Sequence, residues 1–356
     1  MMGVWEDNRI GGYPRLRHCD ERDLMQVPDE LRKCVCFLEA STGEDGSDST
    51  GFFVAVDIGL SRNAGGPREA VYIVTAGHCV AIKGELAERI TVRLNTRDGG
   101  SATFDTDPAG WMVHPVADVA VYAVAPDRGI YDYLYYPAHS AATEEFIKEN
   151  RIGPGDEVLI TGLLIYHPGE TQILPIVRVG SIAAFPPEPI NMITGEDRAY
   201  LAEVRSLGGL SGSPAFLHMS DFRRDEEGNL RVQRGQWSGA GPNYLLGVVH
   251  GFFATQENDP DNLVEDLNAG ITVVVPIDRV LDLIDGPELT AQREQLRISM
   301  EGKAKPTPAT ATVQRSNAAP EFDRFQDLTR RLLAVPKSEV DALREKERGG
   351  LTGDEA

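Results

Sequence analysis

Residues Gly208-Gly209-Leu210-Ser211-Gly212-Ser213-Pro214 set one serine among small neighbours and then release the chain into the apolar run Ala215-Phe216-Leu217. Glycines on both sides of a serine let the backbone turn sharply and aim N–H groups at one point beside the hydroxyl. A nucleophile needs that arrangement when negative charge develops on a neighbouring oxygen. The competing reading is a glycine-rich β-turn that holds a serine. Two upstream stretches weigh against it. Thr75-Ala76-Gly77-His78-Cys79-Val80 follows the β-run Tyr72-Ile73-Val74, and Asp118 heads the apolar strand Val119-Ala120-Val121 within His114–Val121. Singly, a histidine at a strand end is most often structural, and an aspartate before a strand is most often a turn residue. Together they bring an imidazole, a carboxylate and a hydroxyl into one chain in the order His78, Asp118, Ser211.

The surrounding pattern is one of many short strands. Apolar or alternating runs at Cys34–Leu38, Gly51–Asp57, Ala70–Thr75, Arg89–Leu94, Ala102–Asp105 and Asp118–Val124 are separated by turn-formers such as Asp98-Gly99-Gly100. A more helical stretch, Ala141–Asn150, interrupts the series. A second set follows at Glu157–Leu164, Ile176–Ala184, Ala199–Val204, Ser213–Leu217, Tyr244–Phe253 and Ile271–Val275, and then an amphipathic helix carries Val280, Leu281 and Ile284 on one face. The pattern predicts an all-β chain of two tandem six-stranded antiparallel barrels. Asp221–Asn243 and Thr255–Asn268 break the spacing and read as surface excursions. The expected boundaries are an N-terminal extension over 1–30, barrels over 31–140 and 141–300, a Thr/Ala/Pro-rich linker over 301–320, and a helical tail over 321–350. In that tail Phe322, Phe325, Leu328, Leu332 and Leu333 recur at helical spacing, and Pro336 separates a second short helix. The pair needs a surface for its apolar face, either on the body or through a partner or self-association.

The motifs resemble those of the chymotrypsin/trypsin-like serine peptidases. Thr75–Cys79 is similar to that family's Thr-Ala-Ala/Gly-His-Cys signature, Asp118–Val121 to its catalytic-acid strand, and Gly209–Pro214 to its Gly-x-Ser-Gly-Gly/Ser-Pro loop. Gly51-Phe52-Phe53-Val54 resembles the first-barrel strand before the histidine, and the likeness spans roughly residues 31–285. It implies two Greek-key barrels, with the helical tail as a short C-terminal appendage, and a serine endopeptidase acting through an acyl-enzyme. In that reading Ser211 attacks the scissile carbonyl, His78 is general base and then acid, and Asp118 orients His78. Gly209 and Ser211 N–H groups form the oxyanion hole, the substrate is a protein or peptide, and neither metal nor cofactor is required.

The departures from the family pattern carry information. Leu210 stands where the secreted enzymes carry an aspartate that receives a freed N-terminal ammonium. Leucine cannot take that charge, so Arg9-Ile10-Gly11-Gly12 is not read as an activation site and no cleavage of the trypsin type is expected. Cys79 lacks its usual partner, because the chain before Gly51 offers Ser49 and Thr50. Both features resemble bacterial and intracellular members. Three residues are candidates for substrate binding: Arg205, six before the nucleophile, His250 in Leu246–Gly251, and Phe252. A cationic floor with a histidine would favour acidic side chains. The competing readings are a salt-bridged surface arginine and a hydrogen-bonded core histidine.

Bulk properties narrow the partners. The 35 Lys/Arg and 55 Asp/Glu give a net charge of −20, and residues 301–356 hold ten of each sign, so the excess falls on residues 1–300. A body that acidic repels phosphate, which argues against nucleic acid. No apolar run reaches the ~20 residues of a membrane span. The N-terminus as given shows neither a basic start nor an apolar core, and Cys34 and Cys36, two apart on a strand, are badly placed to bridge each other. The expectation is a cytoplasmic protein with free thiols. Two other classes remain in view. An α/β-hydrolase would need glycine at Ser213, a strand–helix context, and the order Ser, acid, His. A latent binding or regulatory module on the peptidase fold, acting through its helical tail, would keep the triad and not use it.

Overall fold

Strands with continuous apolar runs are buried on both faces, and here the two faces go to different cores. In the computed structural model, Phe52 and Val54 join one buried cluster while Phe53 between them joins another; Phe216 does the same against Ala215 and Leu217. The period of two divides each such strand between the interior of its own barrel and a seam shared by both. The structure describes residues 27–60, 69–192, 195–204, 209–220, 222–224, 229–232, 242–256 and 266–303. All belong to the unit Met1–Lys303; the second unit, Ala304–Ala356, lies outside them. The expected extension is thus described only from Val27. The expected tail over 321–350, the linker beyond Lys303 and Cys19 lie outside the described residues.

The first sheet comprises β1 (Val35–Thr42), β2 (Asp45–Asp57), β3 (Glu69–Thr75), β4 (Arg89–Asn95), β5 (Ser101–Thr106), β6 (Trp111–Val113), β7 (Ala120–Val124) and β8 (Tyr136–Pro137). Its order is β5-β4-β1-β2-β3-β7-β6, antiparallel throughout, with β8 pairing in parallel to β2. Among the described residues β5 and β6 remain its edges; the Trp111 indole N–H reaches the Thr106 hydroxyl at 2.9 Å across the corner between them. The strand Trp111–Val113 was not legible in the pattern, being three residues long. So the first half is a curved sheet of seven strands plus a short eighth rather than a closed barrel of six. Its interior is filled by Phe53, Ile73, Ile90, Val92, Leu94, Trp111 and their neighbours.

The second half closes. Strands β9 (Glu157–Gly162), β10 (Ile176–Ala184), β11 (Tyr200–Glu203), β12 (Pro214–His218), β13 (Asn243–Gln256) and β14 (Asp266–Pro276) form a barrel in the order β9-β10-β11-β14-β13-β12. These are the six expected runs. The last two extend beyond expectation, pairing Ala254 with Asn268 and Gln256 with Asp266, where the acidic composition pointed to a loop. The all-β fold of two tandem barrel-like halves is therefore the architecture of this chain, that of the chymotrypsin-like fold.

Short helices close the gaps. Thr143 caps α3 (Glu144–Glu149), the helical interruption expected between the halves, after α1 (Asp29–Lys33) and α2 (Gly77–Val80). In α4 (Ile277–Ile284), Ile277, Val280, Leu283 and Ile284 are buried in the seam and Leu281 packs against it. A further helix, α5 (Pro287–Lys303), was not foreseen. Its apolar contacts with the seam are the sparse Leu289, Leu296 and Met300, too few to mark a face in the sequence. The described cysteines Cys34, Cys36 and Cys79 are free thiols, and burial pushes the first two thiols far above their ordinary range.

Tyr136 joins the halves. It is 1% exposed, its ring lies 4.9 Å from that of Phe216, and its hydroxyl donates to the Asn243 carbonyl. Tyr136→Phe should cost about 1–2 kcal/mol by leaving that carbonyl unpaired, and Tyr136→Ala about 3–5 kcal/mol by adding a cavity. Denaturant titration of the two variants checks the ranking; equal stabilities would show that the hydroxyl and ring contribute nothing at the seam.

Candidate active site

Asp118 sits just before β7, in a loop shaped by a histidine. His114 Nδ1 accepts the Val116 and Ala117 N–H groups at 3.2 and 2.8 Å, and its own N–H donates to the Val119 carbonyl at 2.9 Å. Burial and the Arg279 guanidinium lower the His114 pKa, which keeps Nδ1 unprotonated and able to accept. The loop so formed delivers a carboxylate whose side chain has no exposure at all.

That carboxylate is satisfied by three N–H donors. Oδ1 accepts the backbone N–H of His78 at 2.8 Å; Oδ2 contacts His78 Nδ1 at 2.7 Å and His250 Nδ1 at 2.5 Å. An ionised carboxylate only accepts, so both imidazoles carry their protons on Nδ1. Burial alone would push the Asp118 pKa up, but the hydrogen bonds from His250 and His78 reverse this and hold it well below the usual carboxylate range. For His78, burial works against the charged form, yet the bond to Asp118 and the adjacent Cys79 sulfur outweigh it and raise the pKa above that of an ordinary histidine. The Cys79 sulfur lies 3.8 Å from His78 Nε2. His78 is the second residue of α2, whose first residue, Gly77, lies so close to the acid that a Cβ there would stand 3.1 Å from Asp118 Oδ1.

Ser211 lies between β11 and β12 on a loop held from both halves of the molecule. From the first, Thr50 is a fully buried hub. Its N–H donates to the Ser211 carbonyl at 3.0 Å, its hydroxyl donates to the Gly209 carbonyl and accepts the Leu163 N–H, each at 2.8 Å, and its carbonyl accepts the Thr75 hydroxyl at 2.8 Å. From the second, Val249 accepts the Gly212 N–H at 2.7 Å and donates to the Ser213 carbonyl at 2.9 Å. Gly212 has φ +78°, and a Cβ there would stand 2.1 Å from both the Thr50 carbonyl and the Thr75 hydroxyl. Only glycine fits this approach. Leu210 is fully buried, so packing fills the position where the secreted enzymes hold an ion pair.

Within this frame the Ser211 hydroxyl donates to the backbone carbonyl of His250 at 3.0 Å, and among the described residues no hydrogen bond joins it to His78. Gly209 has φ +92°, and among the described residues no acceptor takes the N–H of Gly209 or of Ser211. Those two amides are the expected oxyanion donors. His78, Asp118 and Ser211 are thus brought to one edge of the seam, with His78 and Asp118 bonded and Ser211 turned to a third residue.

The substrate-pocket expectations fare differently. The His250 ring does not wall a pocket: it is buried at 6% exposure and spent on Asp118, so the acidic-specificity reading loses its histidine. The hydrogen-bonded core histidine was the better alternative, with an unforeseen partner. Phe252, two residues on, is 37% exposed, and Arg205 lies outside the described residues. Sequence reasoning missed His250 as a ligand of the acid, Thr50 as the hub, and His114 as the loop former. Alternation along β13 gave no clean signal, because its register shifts between Val249 and Gly251, at His250 itself.

His78, Asp118 and His250 also form the one group among the described residues whose potential metal-ligand atoms lie within 4.8 Å of one another. Their oxygen–nitrogen separations are those of hydrogen bonds, and both Nδ1 lone pairs are protonated. A cation with bonds of about 2.0–2.2 Å would have to displace both protons.

No family model matches the chain, and neither does any curated relative. Solved structures do. The chain is similar to the MamO protease domain from Magnetospirillum magneticum, at 15% identity and a TM-score of 0.40 over 71% of this chain and 96% of that one. It is similar to the HtrA-type protease AlgW with tripeptide, at 16% identity and a TM-score of 0.39 over 72% of this chain and 60% of that one. The Rv3671c protease from M. tuberculosis, in its active form, follows at 17% and 0.38 over 72% and 81%. All three bear the name of proteases; at such identities and scores the likeness says nothing about activity here, and the fold stands on the strand order itself.

Thr50→Val should leave the Gly209 carbonyl and Leu163 N–H unpaired and cost about 2–4 kcal/mol, whereas Thr50→Ser should cost under about 1 kcal/mol by keeping the hydroxyl. Denaturation together with faster amide exchange at Leu163 in the valine variant checks this; unchanged exchange would show that Thr50 does not anchor the loop.

Proposed function

We propose that this protein is a serine endopeptidase hydrolysing peptide bonds through an acyl-enzyme. The observation that carries the reading is the His78–Asp118 pair: an ionised, fully buried carboxylate fixes the imidazole by Nδ1 at 2.7 Å and leaves Nε2 to take a proton. Ser211 Oγ attacks the carbonyl carbon as its proton passes to His78 Nε2. The resulting oxyanion is received by the N–H groups of Gly209 and Ser211. His78 then protonates the leaving amine, and water repeats the sequence to release the acid. For the first step the Ser211 hydroxyl must leave the His250 carbonyl and turn to Nε2, a reorientation of the kind that accompanies substrate binding in sites that are loose when empty.

That same turned-away hydroxyl favours a second reading, a latent module on the peptidase fold whose serine is held off its base until a partner acts. The segment over 321–350, expected from its sequence to be helical, is the one proposed to meet such a partner. Labelling of Ser211 by a fluorophosphonate probe separates the readings, since a serine never engaged by His78 stays unlabelled.

Two results are expected of the active enzyme. Ser211→Ala should lower kcat on a cleaved peptide by roughly a millionfold, and an unchanged rate would remove the assignment. The base must be unprotonated to act, and its pKa is raised. Turnover should therefore fall as pH drops through a midpoint above the ~6.5 of an ordinary histidine. A kcat/KM profile with its acid limb at or below that value would contradict the geometry of the pair.

A further inference from the structure

We propose that His250 is a positioning residue of the active site, holding the acid with its ring and the nucleophile with its backbone. This rests on the reading of His78 and Asp118 as base and orienting acid. Two imidazoles share one oxygen: Asp118 Oδ2 takes His78 Nδ1–H at 2.7 Å and His250 Nδ1–H at 2.5 Å, with the rings edge to face and their centroids 5.3 Å apart. The Asp118 side chain has no exposure and that of His250 has 6%, so water cannot replace either donor. A carboxylate buried this deeply with only one imidazole on Oδ2 would carry an unsatisfied lone pair and could swing off His78. The second ring closes that freedom, while the His78 backbone N–H on Oδ1 fixes the other oxygen.

The same residue contacts the nucleophile. Its carbonyl accepts the Ser211 hydroxyl at 3.0 Å, and the preceding Val249 carries the two backbone bonds to Gly212 and Ser213. The pair Val249–His250 of β13 thus registers the acid and the serine against each other across the seam. His250 touches no reacting atom in the step itself; its effect passes through Asp118.

The test is histidine-selective NMR on the full chain, which reads the site whether or not it hydrolyses anything. In the wild type, the ¹⁵N shifts of His250 should show a protonated Nδ1; the opposite tautomer, with Nδ1 bare, overturns the proposal without any variant. In His250→Leu, the His78 titration midpoint should move down by roughly 0.5–1 pH unit as Asp118 is freed to swing off Nδ1. His250→Asn, whose amide keeps an N–H near the position of Nδ1, should fall between the two. With a cleaved peptide in hand, kcat/KM of the leucine variant should drop about 10- to 100-fold at constant KM, with partial recovery in the asparagine variant. A His78 midpoint that does not move, or leucine and asparagine variants that behave alike, would show that His250 only fills space. Absence of turnover in the wild type with the tautomer and midpoint shifts as expected would instead count against the peptidase reading alone.

Discussion

A carboxylate with no access to water can stay ionised only if the protein supplies every donor it lost. Asp118 is in that position, and much of the molecule's seam is arranged around it. His114 shapes its loop, α2 presents a backbone N–H and an imidazole, and β13 brings a second imidazole from the other barrel. Desolvation favours the neutral acid and three hydrogen bonds favour the anion; the bonds win, so the charge is available to orient His78. The consequence for His78 follows directly. An imidazole bonded to a buried anion is easier to protonate, and its pKa is raised.

The nucleophile loop meets a related constraint. A tight turn of small residues exposes backbone groups and has little side chain with which to pack, so its shape must come from outside. Thr50 and Val249 supply it from opposite halves, and Gly212 is the point at which the backbones come close enough to do so. Leu210 completes the arrangement by burial. An aspartate there would need a cation in the same place; leucine needs only apolar neighbours.

How the barrels meet explains why the site lies where it does. Strands such as β2, β12 and β13 send alternate residues to a barrel interior and to the seam, so the seam is itself a core, with Phe52, Val74, Phe216 and Val248 in it. Polar groups at its edge are desolvated by that packing. The register of β13 shifts between Val249 and Gly251, and at that irregularity the His250 ring meets the carboxylate at the rim of the interface.

Much of this was legible in the chain. The twelve anticipated strand runs rest on local alternation between turn-formers, a property of neighbouring residues, and each reappears as a strand; Gly51–Asp57 begins six residues earlier, at Asp45, the last two runs extend further, and Asp118–Val124 starts two residues later, at Ala120, because Asp118 belongs to the loop. The chain order of His78, Asp118 and Ser211 was also legible, because each sits in a short motif with its own chemistry. The strand Trp111–Val113 and helix α5 were not, one being too short and the other too sparsely apolar to show a period. The roles of Thr50 and His250 were beyond reach for a different reason. Thr50 meets Gly209 from 159 residues away, and His250 meets Asp118 from 132. Such contacts depend on how two separately closed cores are set against each other. The sequence by itself determined which groups could react; only the tertiary structure decided that a fourth residue would stand between the acid and the serine, because only packing brings the strand that carries it to the carboxylate.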